Sequence, residues 1–184
     1  MKIRLFILLV LFSSSVFGQK TQRNYWKDEI PRNPKGIWEF YDPSGELEQT
    51  YDFTKDSLLF QKTGNKPVTV PYRVIMGTDT LLTKLDTYPI LIGGSATVGK
   101  TFRNHLKYPP EARDSRIQGR VQISFLIDSN GKASNYKIHK GIEGACDEEA
   151  LRVVKLIPNK WVAGTLNGKK VNIIYILPVV FRLG

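Results

Sequence analysis

The residues best suited to chemistry stand in one run, Gly94-Ser95-Ala96-Thr97-Val98-Gly99-Lys100-Thr101, which fits the phosphate-binding pattern G-x-x-x-x-G-K-S/T. It follows the apolar Ile90-Leu91-Ile92, and Phe125-Leu126-Ile127-Asp128 stands where a metal-holding acidic strand would lie. In such a site backbone amides at a helix N-terminus cradle the phosphates and Lys100 neutralises them. Three features count against it. The strand ending at Asp128 alternates polar and apolar, whereas central parallel strands of nucleotide-binding sheets are apolar on both faces. Pro109 cuts short the helix that follows Lys100. Only 83 residues follow Thr101, too few for a five-strand α/β sheet. Gly93-Gly94 then reads as a turn into a helix, with Lys100 exposed on it.

The remaining reactive side chains form no constellation. Cys146 is the only cysteine, so no internal disulfide and no multi-cysteine zinc site is expected. Asp147, Glu148 and Glu149 beside it raise rather than lower a thiol pKa, so Cys146 reads as a small buried residue near a helix cap. His105 and His139, the two histidines, sit among polar neighbours and read as exposed. No Ser-His-Asp grouping and no paired carboxylates outside turns and caps are present. The expectation is a non-enzyme with no cofactor and no metal.

Residues 1–18 begin with Lys2 and Arg4, continue through the apolar Leu5 to Phe12 and end in small residues, the pattern of a secretory signal peptide. Val16 and Gly18 stand where a signal peptidase reads, which places cleavage after Gly18. The apolar run falls short of the roughly 20 residues that span a bilayer. An exported protein meets little nucleotide, a fourth count against the phosphate site. The formal charge of +10 is uneven: residues 19–85 carry ten Lys and Arg against nine Asp and Glu, while residues 86–184 carry fifteen against eight. A basic C-terminal half favours acidic peptides or anionic cell-wall polymer, and export argues against nucleic acid.

The elements that would position these groups divide the mature chain in two. Residues 20–35 are polar, with Pro31 and Pro34, and read as a leader. Gly36 to Tyr41, the turn Asp42-Pro43-Ser44-Gly45 and Glu46 to Phe53 form a hairpin, with Leu47, Gln49, Tyr51 and Phe53 on one face. Leu58 to Gln61 and Val68 to Ile75 are further strands, with turns at Gly64-Asn65 and Gly77-Thr78-Asp79. The first helix is predicted over 96–107, with Val98, Phe102 and Leu106 at four-residue steps, and a short helical turn over 111–116. Val121, Ile123, Phe125 and Ile127 alternate along a strand. Asp128 to Gly131 turns it, and Tyr136 with Ile138 marks its return. A second long helix spans 147–157, with Asp147, Glu148 and Glu149 in its first turn. Leu166-Asn167-Gly168-Lys169 turns into a final strand from Val171 to Phe181.

The order from Pro89 to Phe181 resembles the C-terminal domain of the TonB energy-transducer family. The resemblance rests on Gly93-Gly94, the Tyr-Pro-x-x-Ala box at Tyr108, Pro109 and Ala112, and Ile117-Gln118-Gly119-Arg120-Val121. It continues through Asp128 to Gly131, Cys146 to Ala150, Trp161 with Gly164, Asn167-Gly168-Lys169 and the terminal Leu177-Pro178-Val179-Val180-Phe181. Ala163 departs from the pattern, standing where many members have proline. So do the short cleavable start and the lack of a Pro-rich spacer, which bear on energy transduction rather than on the fold. The resemblance implies an α+β fold in which helices pack on one face of a small antiparallel sheet, preceded by a β-rich segment. The expected division is 1–18 signal, 19–85 leader and β-rich segment, and 86–184 TonB C-terminal-like domain. It also implies a Gram-negative periplasmic protein whose partner is an extended segment of an outer-membrane or periplasmic protein. Cell-wall polymer binding is the alternative, a nucleotide hydrolase the rival from another class.

The final strand supplies the expected site. Val171, Ile173, Tyr175 and Leu177 make one apolar face, yet Ile174 and Ile176 make the other face apolar too. A sheet with one solvated face should alternate there, so a cover or a partner is expected. The residues assigned to a partner strand are therefore Val171, Asn172, Ile173, Ile174, Tyr175, Ile176 and Leu177, with Tyr108 and Pro109 of the box. The same strand is where a homodimer would form, and the β-rich segment is the internal candidate for the cover. Mass spectrometry of the exported protein should give an N-terminus at Gln19; an intact Met1 held in the inner membrane would contradict the signal reading and restore a transducer role.

Overall fold

A computed structural model of the chain describes residues 22–24, 33–42, 44–62, 71–142 and 144–184. The expected signal at 1–18, the turn at Gly64-Asn65 and the start of the strand expected from Val68 lie outside them. Strands β1 (Gln22–Asn24), β2 (Ile37–Tyr41), β3 (Leu47–Asp52) and β4 (Ser57–Gln61) make one sheet in that order. β1 falls within the expected leader and pairs parallel with β2. The β2–β3 turn is built by Asp42, whose carboxylate accepts N–H bonds from Ser44 at 2.9 Å and Glu46 at 3.0 Å. The Ser44 hydroxyl, the Glu46 N–H and Lys62 hold its carboxyl at about 2. Trp38, Phe40 and Tyr51 are buried on one face, with Phe53 edge-on to Trp38 at 5.9 Å.

The chain continues through β5 (Tyr72–Met76), β6 (Asp79–Thr83), β7 (Ile90–Leu91), α1 (Gly94–His105), α2 (Pro110–Asp114), β8 (Gly119–Ile127) and β9 (Ala133–Lys140). It ends with α3 (Gly144–Val154), β10 (Trp161–Val162), β11 (Thr165–Leu166), β12 (Lys169–Lys170) and β13 (Asn172–Phe181). The main sheet runs β6-β5-β13-β8-β9, and its neighbours are all antiparallel. β5 and β6, expected in the N-terminal segment, thus belong to the same sheet as the final strand. The physical reason is Val74, which is fully buried and closes a small core with Ile173 and Leu85.

The helices cover one face of this sheet, as the fold class requires. The alternation of β8 puts Val121, Ile123, Phe125 and Ile127 inward, under Cys146, Ala150, Val153 and Val154 of α3. Burying a Val or Ile side chain stabilises the fold by about 1.5–3 kcal/mol. α1 lays Val98, Phe102 and Leu106 against the same core, and Pro110 starts α2 at its first turn. Asn167 and Gly168 both have positive φ, 52° and 71°, as a two-residue turn between β11 and β12 demands.

α3 starts three residues before the expected Asp147. The reason is that Asp147 turns back and accepts the Ile142 N–H at 2.8 Å, fixing the entry of the chain rather than opening the helix. Glu149 then lies beyond the first turn and serves a tertiary role. Its carboxylate accepts from Arg152 at 2.7 Å and from the Lys107 N–H at 2.7 Å, while Arg152 donates to the His105 carbonyl at 2.6 Å. These bonds fasten the end of α1 to α3.

The Arg152 guanidinium, followed by the Lys107 N–H, lowers the Glu149 pKa below its ordinary value. A carboxylate with a depressed folded pKa stabilises the fold above its unfolded pKa, and that stability is lost as pH falls through the folded value. Glu149→Gln should therefore cost about 1 kcal/mol in urea denaturation at pH 7, with the difference from wild type shrinking below about pH 4. A difference that grows toward acid pH would contradict the assignment.

Candidate functional site

The final strand does not lie at a sheet edge; it is the central strand. β8 pairs with it from Ile173 to Phe181, and β5 pairs with it at Asn172, Ile173 and Ile174. Ile173 and Ile174 therefore have strands on both sides, and a partner strand there would have to displace β5. From Tyr175 to Phe181 the named strands supply a ladder on the β8 side alone. Among the described residues, the length with a single named neighbour strand is thus 175–181 rather than the expected 171–177.

Pro178 fixes which backbone groups face the unpaired side. A proline survives inside a ladder only where its missing N–H would point away from the paired neighbour. Pro178 opposes Gln122 within the β8 ladder, so its nitrogen faces the unpaired side. Antiparallel backbone groups alternate in direction, so Ile176 and Val180, two residues either way, turn their N–H groups to that side as well. Ile174 has the same phase, consistent with its pairing to Arg73 of β5.

The side chains of the strand do different work on its two faces. Ile173 and Val179 are fully buried. Tyr175 packs between Trp161 at 5.3 Å and Phe125 at 5.5 Å, and burial pushes its phenol pKa up. Val171 donates its N–H to the Gly164 carbonyl at 3.0 Å, and the Asn172 side-chain oxygen accepts the Ser129 N–H at 2.9 Å, holding the β8–β9 turn against β13. Leu177 is half-buried against the helix-side core. Ile174 is half-buried on the opposite face, and Ile176 is 39% exposed there.

Tyr108 and Pro109 are not brought to the unpaired ladder as free contacts. The Tyr108 hydroxyl donates to the Ile117 carbonyl and its ring stands edge-on to Phe181 at 5.6 Å. Pro109 precedes the first residue of α2. Tyr108 positions the end of β13, and Pro109 sets the start of α2.

The phosphate-pattern residues form the start of α1, and the place a phosphate would take is filled. The Glu48 carboxylate of β3 accepts from the Ser95 N–H at 3.0 and 3.2 Å. A Cβ on Gly94, whose φ is 65°, would fall 2.3 Å from that carboxylate. The strand before the run, β7, is two residues long and pairs antiparallel with β10, unlike the parallel strand of a nucleotide site. Lys100, expected to be exposed, is half-buried because the β2–β3 hairpin docks beside α1. Cys146 is fully buried and His105 and His139 are exposed. Among the described residues no three His, Cys, Asp or Glu side chains are placed to hold a metal, and no helix is long and apolar enough to cross a membrane.

Sequence reasoning missed the residue that locks the two sheets together. Gln49, 1% exposed, donates to the Leu91 carbonyl at 2.8 Å and accepts the Gly93 N–H at 2.9 Å. Its place among the apolar positions of β3 was the only local signal. The β1–β4 sheet thereby docks at the β7–α1 corner, while β5 of the same segment reaches Ile174.

Residues 104–183 match the family described as Gram-negative bacterial TonB protein C-terminal. Protein TonB from two strains of Xanthomonas campestris pv. campestris, B100 and ATCC 33913, is 32% identical over 95 residues, covering 50% of this chain. The chain covers 41% of the length of those relatives. Two NMR solution structures of the Helicobacter pylori TonB C-terminal domain align with 48% and 46% of this chain, at 19% identity and TM-scores of 0.36 and 0.35. They are covered to 78% and 88% of their own length.

Gln49→Leu should remove both bonds and strand a buried carbonyl and a buried N–H, costing about 2–4 kcal/mol. The loss should register in the urea midpoint together with faster amide exchange at Gly93; unchanged exchange there would separate the two effects and refute the lock.

Proposed function

We propose that this chain, whose residues 104–183 match the Gram-negative bacterial TonB protein C-terminal family, is a non-catalytic periplasmic binding module that holds an extended segment of an outer-membrane transporter. The observation that supports the reading is Tyr175 to Phe181 of β13, where among the described residues β8 supplies the one named ladder. An added strand gains main-chain bonds at Ile176 and Val180, and side-chain contacts supply its selectivity. Pro178 between them interrupts the donors, which sets the register of the incoming segment. The basic balance of residues 86–184 favours acidic segments and makes association weaken with salt.

The test is an NMR titration of the full chain with peptides from the periplasm-facing ends of co-exported transporters. Amide shifts should concentrate on 175–181, with slowed exchange at Ile176 and Val180. Val180→Pro should weaken binding by about tenfold or more, and circular dichroism should show the fold retained. Saturable shifts confined to surfaces away from β13 would refute strand addition, and strong binding retained in the proline variant with an intact fold would do the same.

A further inference from the structure

We propose that the face of the main sheet turned away from the helices is a docking surface for an amphipathic helix with an acidic flank, supplied by a partner protein. The register of the five strands places the outward residues. Ile174 stands in one row with Leu126 on β8 and Arg73 on β5, and Arg73 in turn opposes Leu82 on β6. Further rows join Ile176 to Ser124 and Lys137, Pro178 to Gln122 and Lys140, and Val180 to Arg120. The outward side of β13 is therefore an apolar stripe, with Ile176 39% and Val180 48% exposed, and Leu82 beyond it at 62%.

The charges beside the stripe have one sign. Arg73, Arg120, Lys137 and Lys140 share this face, and none has a carboxylate partner among the described residues. The sole carboxylate in the five strands is Asp79, which opposes Met76 at the hairpin end, out of phase with this face. An apolar stripe rimmed only by cations is complementary to an apolar ridge rimmed by carboxylates.

Shape chooses among the occupants that satisfy this charge. Ile174 to Val180 spans about 20 Å at about 3.3 Å per residue, the length of a helix of about 13 residues. Among the described residues the stripe is one residue wide beyond Leu126, because Ser124 and Gln122 follow at once on β8, so it fits a single helical ridge. Bilayer adsorption scales with apolar area and favours a broad patch. A second copy of this face would set four cations against four. The β2–β3 segment docks elsewhere through Gln49. This surface works through side chains normal to the sheet and is independent of strand addition in the sheet plane.

The probe is a synthetic helix of about 14 residues with leucines on one face and glutamates along one flank, and its twin carries lysines in place of the glutamates. Titrated into the isotope-labelled full chain, the glutamate peptide should give saturable shifts at Ile174, Ile176 and Val180 that weaken with salt. Lys137→Glu combined with Lys140→Glu, both exposed positions, should lower its affinity by about tenfold and raise that of the lysine twin, with circular dichroism unchanged. Equal binding of the two peptides, or no saturation, would overturn the proposal. Adsorption to phosphatidylglycerol vesicles without helix binding would overturn it in favour of a membrane surface, and a concentration-dependent dimer protecting the same amides in favour of a second copy.

Discussion

A strand in the middle of a sheet must satisfy its backbone on both sides, and among the described residues named strands flank β13 on both sides over only part of its length. Its ten residues are matched by β8 from Ile173 onward, but on the other side β5 reaches only Ile174. The remaining organisation follows from this mismatch. The inward side chains Ile173, Tyr175, Leu177, Val179 and Phe181 bind the helical layer and the small core under β5 into one body.

The N-terminal half contributes in two physically different ways. The β5–β6 hairpin lengthens the sheet in its own plane, bringing Val74 against Ile173. The β1–β4 sheet instead docks through an apolar patch, with Ile92 and Val162 against Trp38, Phe40 and Tyr51, and through polar side chains, with Gln49 in a buried position and Glu48 at the start of α1. A carboxylate at a helix N-terminus is favoured by the exposed N–H groups and the helix dipole. The same local chemistry that made Gly94 to Thr101 look like a phosphate site is what lets Glu48 dock there.

How much could be read from sequence depended on how local its cause was. The alternation of Val121 to Ile127 and the four-residue steps of Val98, Phe102 and Leu106 located β8 and α1, since burial of one face imposes those periods directly. β6 left no such trace: Leu81 and Leu82 are adjacent, opposing Val74 and Arg73 on opposite faces. The order of strands in a sheet is a long-range property, so the central place of β13 and the partial cover by β5 were not legible, whereas its two-sided apolar character was. The start of α3 was misplaced because Asp147 bonds backward to Ile142, a tertiary choice that a row of acidic residues does not reveal. Of the residues assigned to a partner, Ile176 stands at the unpaired ladder with outward exposure, while Asn172 and Tyr108 are spent on holding the framework.

The two borders of the main sheet are defended unequally. β9 carries Lys137 and Lys140 along its border, and Asn135, at a φ of 53°, kinks it where its register with β8 slips. Such charges and bulges discourage further strands. β6 has only Thr80, Leu81, Leu82 and Thr83 between Asp79 and Lys84, without a bulge. Among the described strands, β6 is therefore the border of the main sheet whose own residues offer least against a further strand.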